Sequence, residues 1–128
     1  MSKKALIITD GTETINSLAK PIKTALAGFN VQICHADKFI GNDILPADIF
    51  FIGCENPSPA SFAYLEEMLS HINFASRKCG VFSTSQKSLN YLCGILKDSE
   101  AALGETMLSI DGGYQQSDMT KWVKGLLK

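Results

Sequence analysis

Residues 5–26, which read ALIITDGTETINSLAKPIKTAL, show the pattern of secondary structure that the rest of the chain repeats. The run from Ala5 to Thr9 is apolar except at its end, and a short apolar run followed closely by a glycine predicts a buried strand. The apolar residues after it recur every three or four positions, as they do on the buried face of a helix. They are Ile15, Leu18, Ile22 and Leu26. The stretch is therefore predicted to be one strand followed by one helix.

The same alternation continues to the end of the chain. Four further apolar runs are predicted to be strands, at residues 31–34, 49–52, 80–83 and 106–110. Apolar residues at helical spacing lie between or after these runs and form three further stripes. The stripes are Phe62, Leu65, Leu69 and Ile72; Leu89, Leu92 and Leu96; and Met119, Trp122, Val123 and Leu126. The chain is thus predicted to repeat a strand and a helix.

Strands that alternate with helices predict a parallel sheet, because a right-handed crossover is almost the only way in which a chain returns to a parallel strand. Five strands with helices on both faces make a three-layer, doubly wound α/β fold with a five-stranded sheet of order 2-1-3-4-5. No linker or repeat divides the sequence, and 128 residues suit one core better than two. We therefore expect a single domain over residues 1–128.

Composition narrows the classes of function. The formal charge of -1 gives no basic field, so nothing electrostatic favours binding to nucleic acid or anionic lipid. No apolar stretch approaches the length of a membrane span, and the first apolar run is too short for an export signal. The four cysteines form no CxxC pair, and the two histidines are not at ligand spacing. We expect a cytoplasmic protein with reduced thiols, no metal site, no membrane contact and no nucleic-acid partner.

The loop after the first strand carries the most information about a ligand. In doubly wound sheets, ligands bind beyond the carboxyl ends of the strands, where the order of the strands reverses. Residues 11–17, GTETINS, stand there, between the first strand and the first helix. A helix N-terminus that is surrounded by hydroxyls binds phosphate without any lysine or arginine. Ordinary helix capping by Thr12 or Thr14 explains the same residues, so both interpretations stay open at this point.

This segment resembles the phosphate loop of the flavodoxins, whose pattern is roughly G-[ST]-x-T-G-x-[ST], at six of its seven positions. The resemblance extends to residues 48–54, DIFFIGC, and to residues 80–83, GVFS. It implies a short-chain flavodoxin-like fold and a site for FMN. The residues that would hold the phosphate, through hydroxyls, an amide side chain or backbone amides, are Thr12, Glu13, Thr14, Ile15, Asn16 and Ser17.

The same resemblance implies where the flavin ring would lie. Two loops after the third and fourth predicted strands would border it, through Cys54, Glu55, Asn56, Thr84, Ser85 and Gln86. This site is degenerate, because Ile15 stands where the family has a glycine and neither loop carries a stacking aromatic residue. We therefore expect FMN to bind more weakly than in a typical flavodoxin, or to have been lost.

The function implied is that of an FMN-binding electron carrier or reductase component. Such a protein needs a redox partner protein but no catalytic side chain, because the cofactor carries the chemistry. We therefore expect an electron-transfer protein rather than an enzyme with catalytic residues of its own. The alternative is a cofactor-free flavodoxin-like module that binds another anion or a protein partner. The phosphate loop favours the first hypothesis, and the missing ring contacts favour the second.

Overall fold

A computed structural model of the protein describes residues 3–38, 47–57, 59–69, 78–96, 102–103, 108–109 and 116–127. Four strands of this part of the chain have five or six residues, and two further segments have only two. The strands are β1 (Lys4–Thr9), β2 (Asn30–His35), β3 (Ile49–Gly53), β4 (Lys78–Ser83), β5 (Ala102–Leu103) and β6 (Leu108–Ser109). The first four agree with the strands predicted from the apolar runs.

The strands form a parallel sheet in which β1 and β3 are central. Its order is β2-β1-β3-β4-β5, and β6 also pairs with β4. The register aligns Ile7 of β1 with Ile33 on one side and with Phe51 on the other. The predicted order of the first four strands is thereby confirmed.

Of the fifth strand predicted over residues 106–110, Leu108 and Ser109 form a strand that pairs with β4, with Leu108 opposite Phe82, whereas residues 106, 107 and 110 lie outside the described residues. A further two-residue segment, which was not predicted, also pairs with β4, with Ala102 opposite Lys78.

Four helices and one short 3-10 helix connect and follow the strands. They are α1 (Glu13–Ala25), the 3-10 helix (Ala60–Phe62), α2 (Ala63–Leu69), α3 (Gln86–Leu96) and α4 (Gln116–Leu127). Side chains of α1 and α4 pack on one face of the sheet, whereas those of α2 and α3 pack on the other. The prediction of helices on both faces is confirmed. No helix among the described residues is both long and apolar enough to cross a membrane.

Each face of the sheet has its own apolar core, because strand side chains alternate between the faces. On the face of α1 and α4, the ring of Phe51 meets that of Trp122 edge-on at a centroid distance of 5.5 Å. On the other face, Phe50 and Ile52 pack among buried residues of α2 and α3. All five residues of β3 are buried, as expected of a central strand covered on both sides. Most of the helix side chains in these two cores belong to the stripes predicted from the sequence.

Candidate functional site

The carboxyl ends of β1, β3 and β4 meet at one edge of the sheet. The chain leaves β1 for α1 on one face and leaves β3 for α2 on the other, so a crevice lies between these two connections. We call the loops that border it, residues 10–12, 54–57 and 84–85, the carboxyl-edge crevice. It is the place at which this type of sheet binds ligands.

The loop between β1 and α1 is shorter than the sequence predicted. Helix α1 begins at Glu13, and Thr12 is its N-cap, with a hydroxyl that accepts a hydrogen bond from the Ile15 amide at 3.4 Å. Gly11 has φ +83, which favours glycine over residues with a side chain. A Cβ at this position would also lie 1.6 Å from Nε2 of His35, so the imidazole rests directly on the loop. The loop is therefore held tightly at residues 10–12.

Ile15, which stands where the flavodoxin pattern has a glycine, lies in the apolar core. Its side chain is fully buried in the core between α1 and the sheet, with Leu18 and Ile22. Only its backbone amide faces the loop, and that amide already donates to Thr12. The reason is helical geometry, because Ile15 is the first residue of the apolar stripe of α1. The Ile15 side chain is therefore part of the core.

Asn16 and Ser17 also lie inside the helix. The Thr9 hydroxyl donates to the side-chain carbonyl of Asn16 at 2.7 Å, and the Asn16 amide group donates to the Gly11 carbonyl at 3.5 Å. The Ser17 hydroxyl donates to the Thr14 carbonyl at 2.7 Å. Both polar side chains thus serve local structure. The amides of Glu13 and Thr14 face no acceptor in the described part of the chain, as is usual in the first turn of a helix.

Asp10, which the sequence analysis did not select, occupies the centre of the crevice. Its side chain is only 9% exposed. One carboxylate oxygen accepts hydrogen bonds from the Thr12 amide at 3.0 Å and from the Thr12 hydroxyl at 2.7 Å. The other accepts from the Glu55 amide at 2.8 Å, across the crevice. The spacing of Asp10 and Thr12 is a local signal of a side chain that bonds to the backbone two residues later.

Three serines join the second and third loops of the crevice. The Ser83 hydroxyl donates to the Cys54 carbonyl at 2.6 Å, and the Ser88 hydroxyl donates to the Glu55 carbonyl at 3.0 Å. The Ser85 hydroxyl donates to that of Ser88 at 2.9 Å. Ser83, Ser85 and Ser88, here called the serine cluster, therefore fix the backbone after β3 to the start of α3. Sequence reasoning selected only Ser85 of the three.

The other residues predicted to border a ring are not all brought together. Cys54 is buried and Glu55 is half-buried at the crevice, whereas Asn56 is exposed at its rim. Thr84 is half-buried, and the side chain of Gln86 donates to that of Asn90 at 3.1 Å along α3. The structure thus groups Thr12, Cys54 and Glu55 around Asp10. It links Ser85 to Glu55 through Ser88 and directs Gln86 along the helix.

The electrostatics of the crevice keep its thiol protonated. Burial, together with the negative charge of Asp10, raises the pKa of Cys54 to about 12. Thiolate chemistry at neutral pH is therefore disfavoured at this position. Within the described residues, which include all four cysteines, no disulfide forms, and no three His, Cys, Asp or Glu side chains are grouped as metal ligands would be.

Tyr91, the aromatic residue of α3, contacts α2 and the 3-10 helix before it. Its hydroxyl donates to the Glu66 carboxylate of α2, and its ring packs beside Phe62 at a centroid distance of 6.4 Å. Burial and the bond to Glu66 raise the pKa of Tyr91. It therefore joins α2 to α3.

Comparison with known proteins identifies the fold. No protein-family model matches the chain, and no curated protein matches it. The structure is similar to a short-chain flavodoxin associated with a non-canonical PDU bacterial microcompartment, with TM-score 0.83 and 16% identity over 99% of this chain and 97% of that one. It is similar to oxidised flavodoxin 2 from Bacillus cereus, with TM-score 0.81 and 17% identity over 97% of each chain.

A third similar structure contains a ligand. It is a Fusobacterium nucleatum flavodoxin bound to flavin mononucleotide, with TM-score 0.71 and 10% identity over 99% of this chain and 96% of that one. At these identities the likeness shows the fold, which is flavodoxin-like: an α/β fold with a parallel sheet and helices on both faces. The fold implied by the sequence resemblance is confirmed.

Proposed function

We propose that this protein is a flavodoxin-like electron carrier that binds FMN in the carboxyl-edge crevice. The observation that carries this proposal is the agreement in fold with flavodoxins over almost the full length of both chains, including one bound to flavin mononucleotide. We further infer that residues 1–128 form a single domain. In it, β5 and β6 are two parts of one fifth strand at the edge of the sheet.

The phosphate end of FMN fits the crevice in part. The amide N–H groups of Glu13 and Thr14 point out of the N-terminal end of α1, where the helix dipole favours an anion. The Thr12 hydroxyl lies beside them, although it already donates to Asp10. Two open amides and the helix N-terminus are thus the groups that would hold the phosphate.

The ring of FMN has little to stack on in this crevice. Loop residues 10–12, 54–57 and 84–85 include no aromatic side chain, and Tyr91 is engaged with Glu66 and Phe62. Each stacking aromatic contributes of order 1 kcal/mol, so two missing contacts weaken binding by about tenfold or more. We therefore propose an affinity below that of a flavodoxin with aromatic residues on both loops.

The bound flavin would supply the electron-transfer chemistry. The chain itself positions the cofactor through α1, and the serine cluster holds the loops after β3 and β4 in place. No side chain of the crevice needs to give or take a proton, and the protonated thiol of Cys54 adds no charge beside the ring. A redox partner protein would dock over this edge, and we place both proteins in the cytoplasm.

The absorbance spectrum of the purified protein tests this proposal, because a bound flavin gives a visible spectrum. FMN added to apoprotein should lose fluorescence on binding. Thr14→Val should weaken FMN binding by about fivefold, since it removes an exposed hydroxyl next to the open amides. Thr24→Val is the matched control, because Thr24 lies at the other end of α1 and donates only to the Lys20 carbonyl. No FMN affinity at about 100 μM would refute the proposal.

A second candidate is a flavodoxin-like module without a cofactor. It is supported by the internal bonding of the crevice, where Asp10 and the serine cluster occupy the Glu55 amide and the carbonyls of Cys54 and Glu55. These are backbone groups that a ligand would otherwise contact. A protein that purifies colourless and binds no flavin would favour this candidate, and a pull-down with the intact crevice against the Asp10→Asn variant would then look for a protein partner.

A further inference from the structure

The carboxylate of Asp10 uses donors that would otherwise be available to a phosphate. Thr12 contributes its amide and hydroxyl, and Glu55 contributes its amide from across the crevice. Thr12 is the N-cap of α1, so the carboxylate lies against the end of the helix that attracts anions. The protein thus carries a negative group of its own beside the amides of Glu13 and Thr14, which would hold the phosphate of FMN.

Within the described part of the chain, no ion pair is formed with the Asp10 carboxylate. The His35 imidazole, which lies against Gly11, pairs instead with Asp37, with 2.5 Å between Nδ1 and Oδ1. Glu13 in the first turn of α1 adds a second acidic residue near the same helix end. A phosphate that enters the crevice therefore meets like charge at short range, and in a partly desolvated site this repulsion is strong.

We propose that Asp10 is the residue that determines how the site responds to ligand charge, and that it makes the crevice nearly indifferent to the 5′-phosphate of a flavin. This inference rests on the proposed function, because it concerns the same site. Riboflavin has an uncharged hydroxyl where FMN has the phosphate, so it gains no phosphate contacts but avoids the repulsion. The two effects of the phosphate, attraction by open amides and repulsion by Asp10, offset each other in the wild-type protein.

The test compares FMN with riboflavin by fluorescence titration at fixed ionic strength. In the wild type, the two Kd values should agree within about threefold. In Asp10→Asn and in Asp10→Ser, FMN should bind at least about tenfold more tightly than in the wild type, while the Kd for riboflavin changes by less than about threefold. Two variants are used because Asn retains a side-chain acceptor for the loop amides, whereas Ser removes more of the side chain.

Asp48→Asn is the matched control. The carboxylate of Asp48 accepts a hydrogen bond from the Lys4 amide at 2.8 Å, at the opposite edge of the sheet. The substitution removes the same charge from a side chain that accepts a backbone amide at the same distance as Asp10 does, but not in the crevice. It should leave the ratio of the two Kd values unchanged. A wild-type protein that binds FMN more than about tenfold better than riboflavin would overturn the inference, as would Asp10 variants with the wild-type ratio.

A flavin-independent measurement separates this inference from the proposed function. Inorganic phosphate should raise the melting temperature of Asp10→Asn and Asp10→Ser above the value in chloride of equal ionic strength, and it should not do so for the wild type. If no flavin binds any of these proteins, the proposed function fails, and the phosphate result alone decides the role of Asp10. Phosphate stabilisation of the wild type, or none in folded variants, would overturn the inference.

Discussion

The sheet has an amino edge, where its strands begin, and a carboxyl edge, where they end. Each edge contains an aspartate that accepts a backbone amide, but the surroundings of the two aspartates differ. At the amino edge, the Asp48 carboxylate accepts from the Lys4 amide at 2.8 Å, and the Asp48 amide donates to the Lys4 carbonyl at the same distance. At the carboxyl edge, the Asp10 carboxylate accepts from the Glu55 amide at 2.8 Å. Asp48 is exposed, whereas Asp10 is buried and accepts two further bonds.

The difference lies in what holds each edge together. The amino edge is closed largely by backbone groups, such as the Asn30 amide that donates to the Lys3 carbonyl at 2.8 Å. At the carboxyl edge the Ala36 amide donates to the Thr9 carbonyl in the same way, but the loops after β1, β3 and β4 are also joined by side chains, those of Asp10 and the serine cluster. A ligand can compete with side-chain bonds more readily than with a strand ladder. The edge suited to binding is therefore the one whose polar groups can be exchanged.

The largest expected effect tests whether Ile15 belongs to the core or to the site. Ile15 and Leu26 are buried at opposite ends of α1, near the carboxyl and amino edges respectively. Ile15→Ala and Leu26→Ala should each lower the free energy of unfolding by about 3 kcal/mol, because both remove a buried aliphatic side chain. Urea unfolding measures this. If Ile15→Ala alone cost less than about 1 kcal/mol and also tightened FMN binding, the side chain would belong to the phosphate site and not to the core.

Substitution of the two aspartates should have the next largest effects on the free energy of unfolding. Asp10→Ala should lower the free energy of unfolding by about 2 kcal/mol, because a buried carboxylate with three hydrogen bonds is lost and its donors are left without that acceptor. Asp48→Ala should cost less than about 1 kcal/mol, since its carboxylate is exposed and water replaces it. The measurement is again urea unfolding, at low and high salt. Equal costs would mean that the two edges do not differ in the way described.

Much of the fold was predictable from periodicity. The first four strands, and the buried faces of α1 and α3, follow from apolar runs and stripes such as Leu89, Leu92 and Leu96. These signals are local, and burial on one or both faces dictates them. In the fifth strand, Leu108 and Ser109 pair with β4 as predicted, whereas the pairing of Ala102 and Leu103 was missed, because two residues are too few to show a periodic pattern.

The site was less predictable because its bonds are not local. Asp10 and Glu55 are 45 positions apart, and no spacing rule connects them. Ile15 satisfied two patterns, the helix stripe and the flavodoxin loop, and only its burial decides between them. The place of the crevice followed from the topology, whereas the residue at its centre needed the three-dimensional structure.

A smaller difference in the free energy of unfolding is expected between variants of two glycines, one at each edge. Gly11 and Gly28 both have positive φ, of +83 and +92, but only Gly11 has a neighbour where a Cβ would lie, the His35 imidazole. Gly28→Ala should cost about 1 kcal/mol for the left-handed backbone alone. Gly11→Ala should cost about 2 kcal/mol, because His35, which is partly exposed, must also move. The double variant with His35→Ala should recover the excess, and identical costs for the two glycines would show that the imidazole does not confine the loop.

The smallest expected effect is a pH dependence from Cys54. Burial and Asp10 raise its pKa to about 12 in the folded protein, whereas an unfolded thiol titrates near pH 9. Below about pH 9 the thiol is protonated in both states, and its contribution to stability is complete. As the pH rises toward 12, only the unfolded chain loses the proton, so the free energy of unfolding falls, by about 1 kcal/mol between pH 9 and pH 10.

The variant Cys54→Ala isolates this contribution, because the raised pKa of Tyr91 acts in the same direction in both proteins. Its free energy of unfolding should decline less steeply than that of the wild type between pH 9 and pH 10. Val81→Ala serves as the control, since Val81 is buried in the neighbouring strand β4 and has no titratable group. It should lower stability by a similar amount at every pH and leave the slope unchanged. If Cys54→Ala kept the wild-type slope, the thiol would not be shielded at the carboxyl edge as the structure indicates.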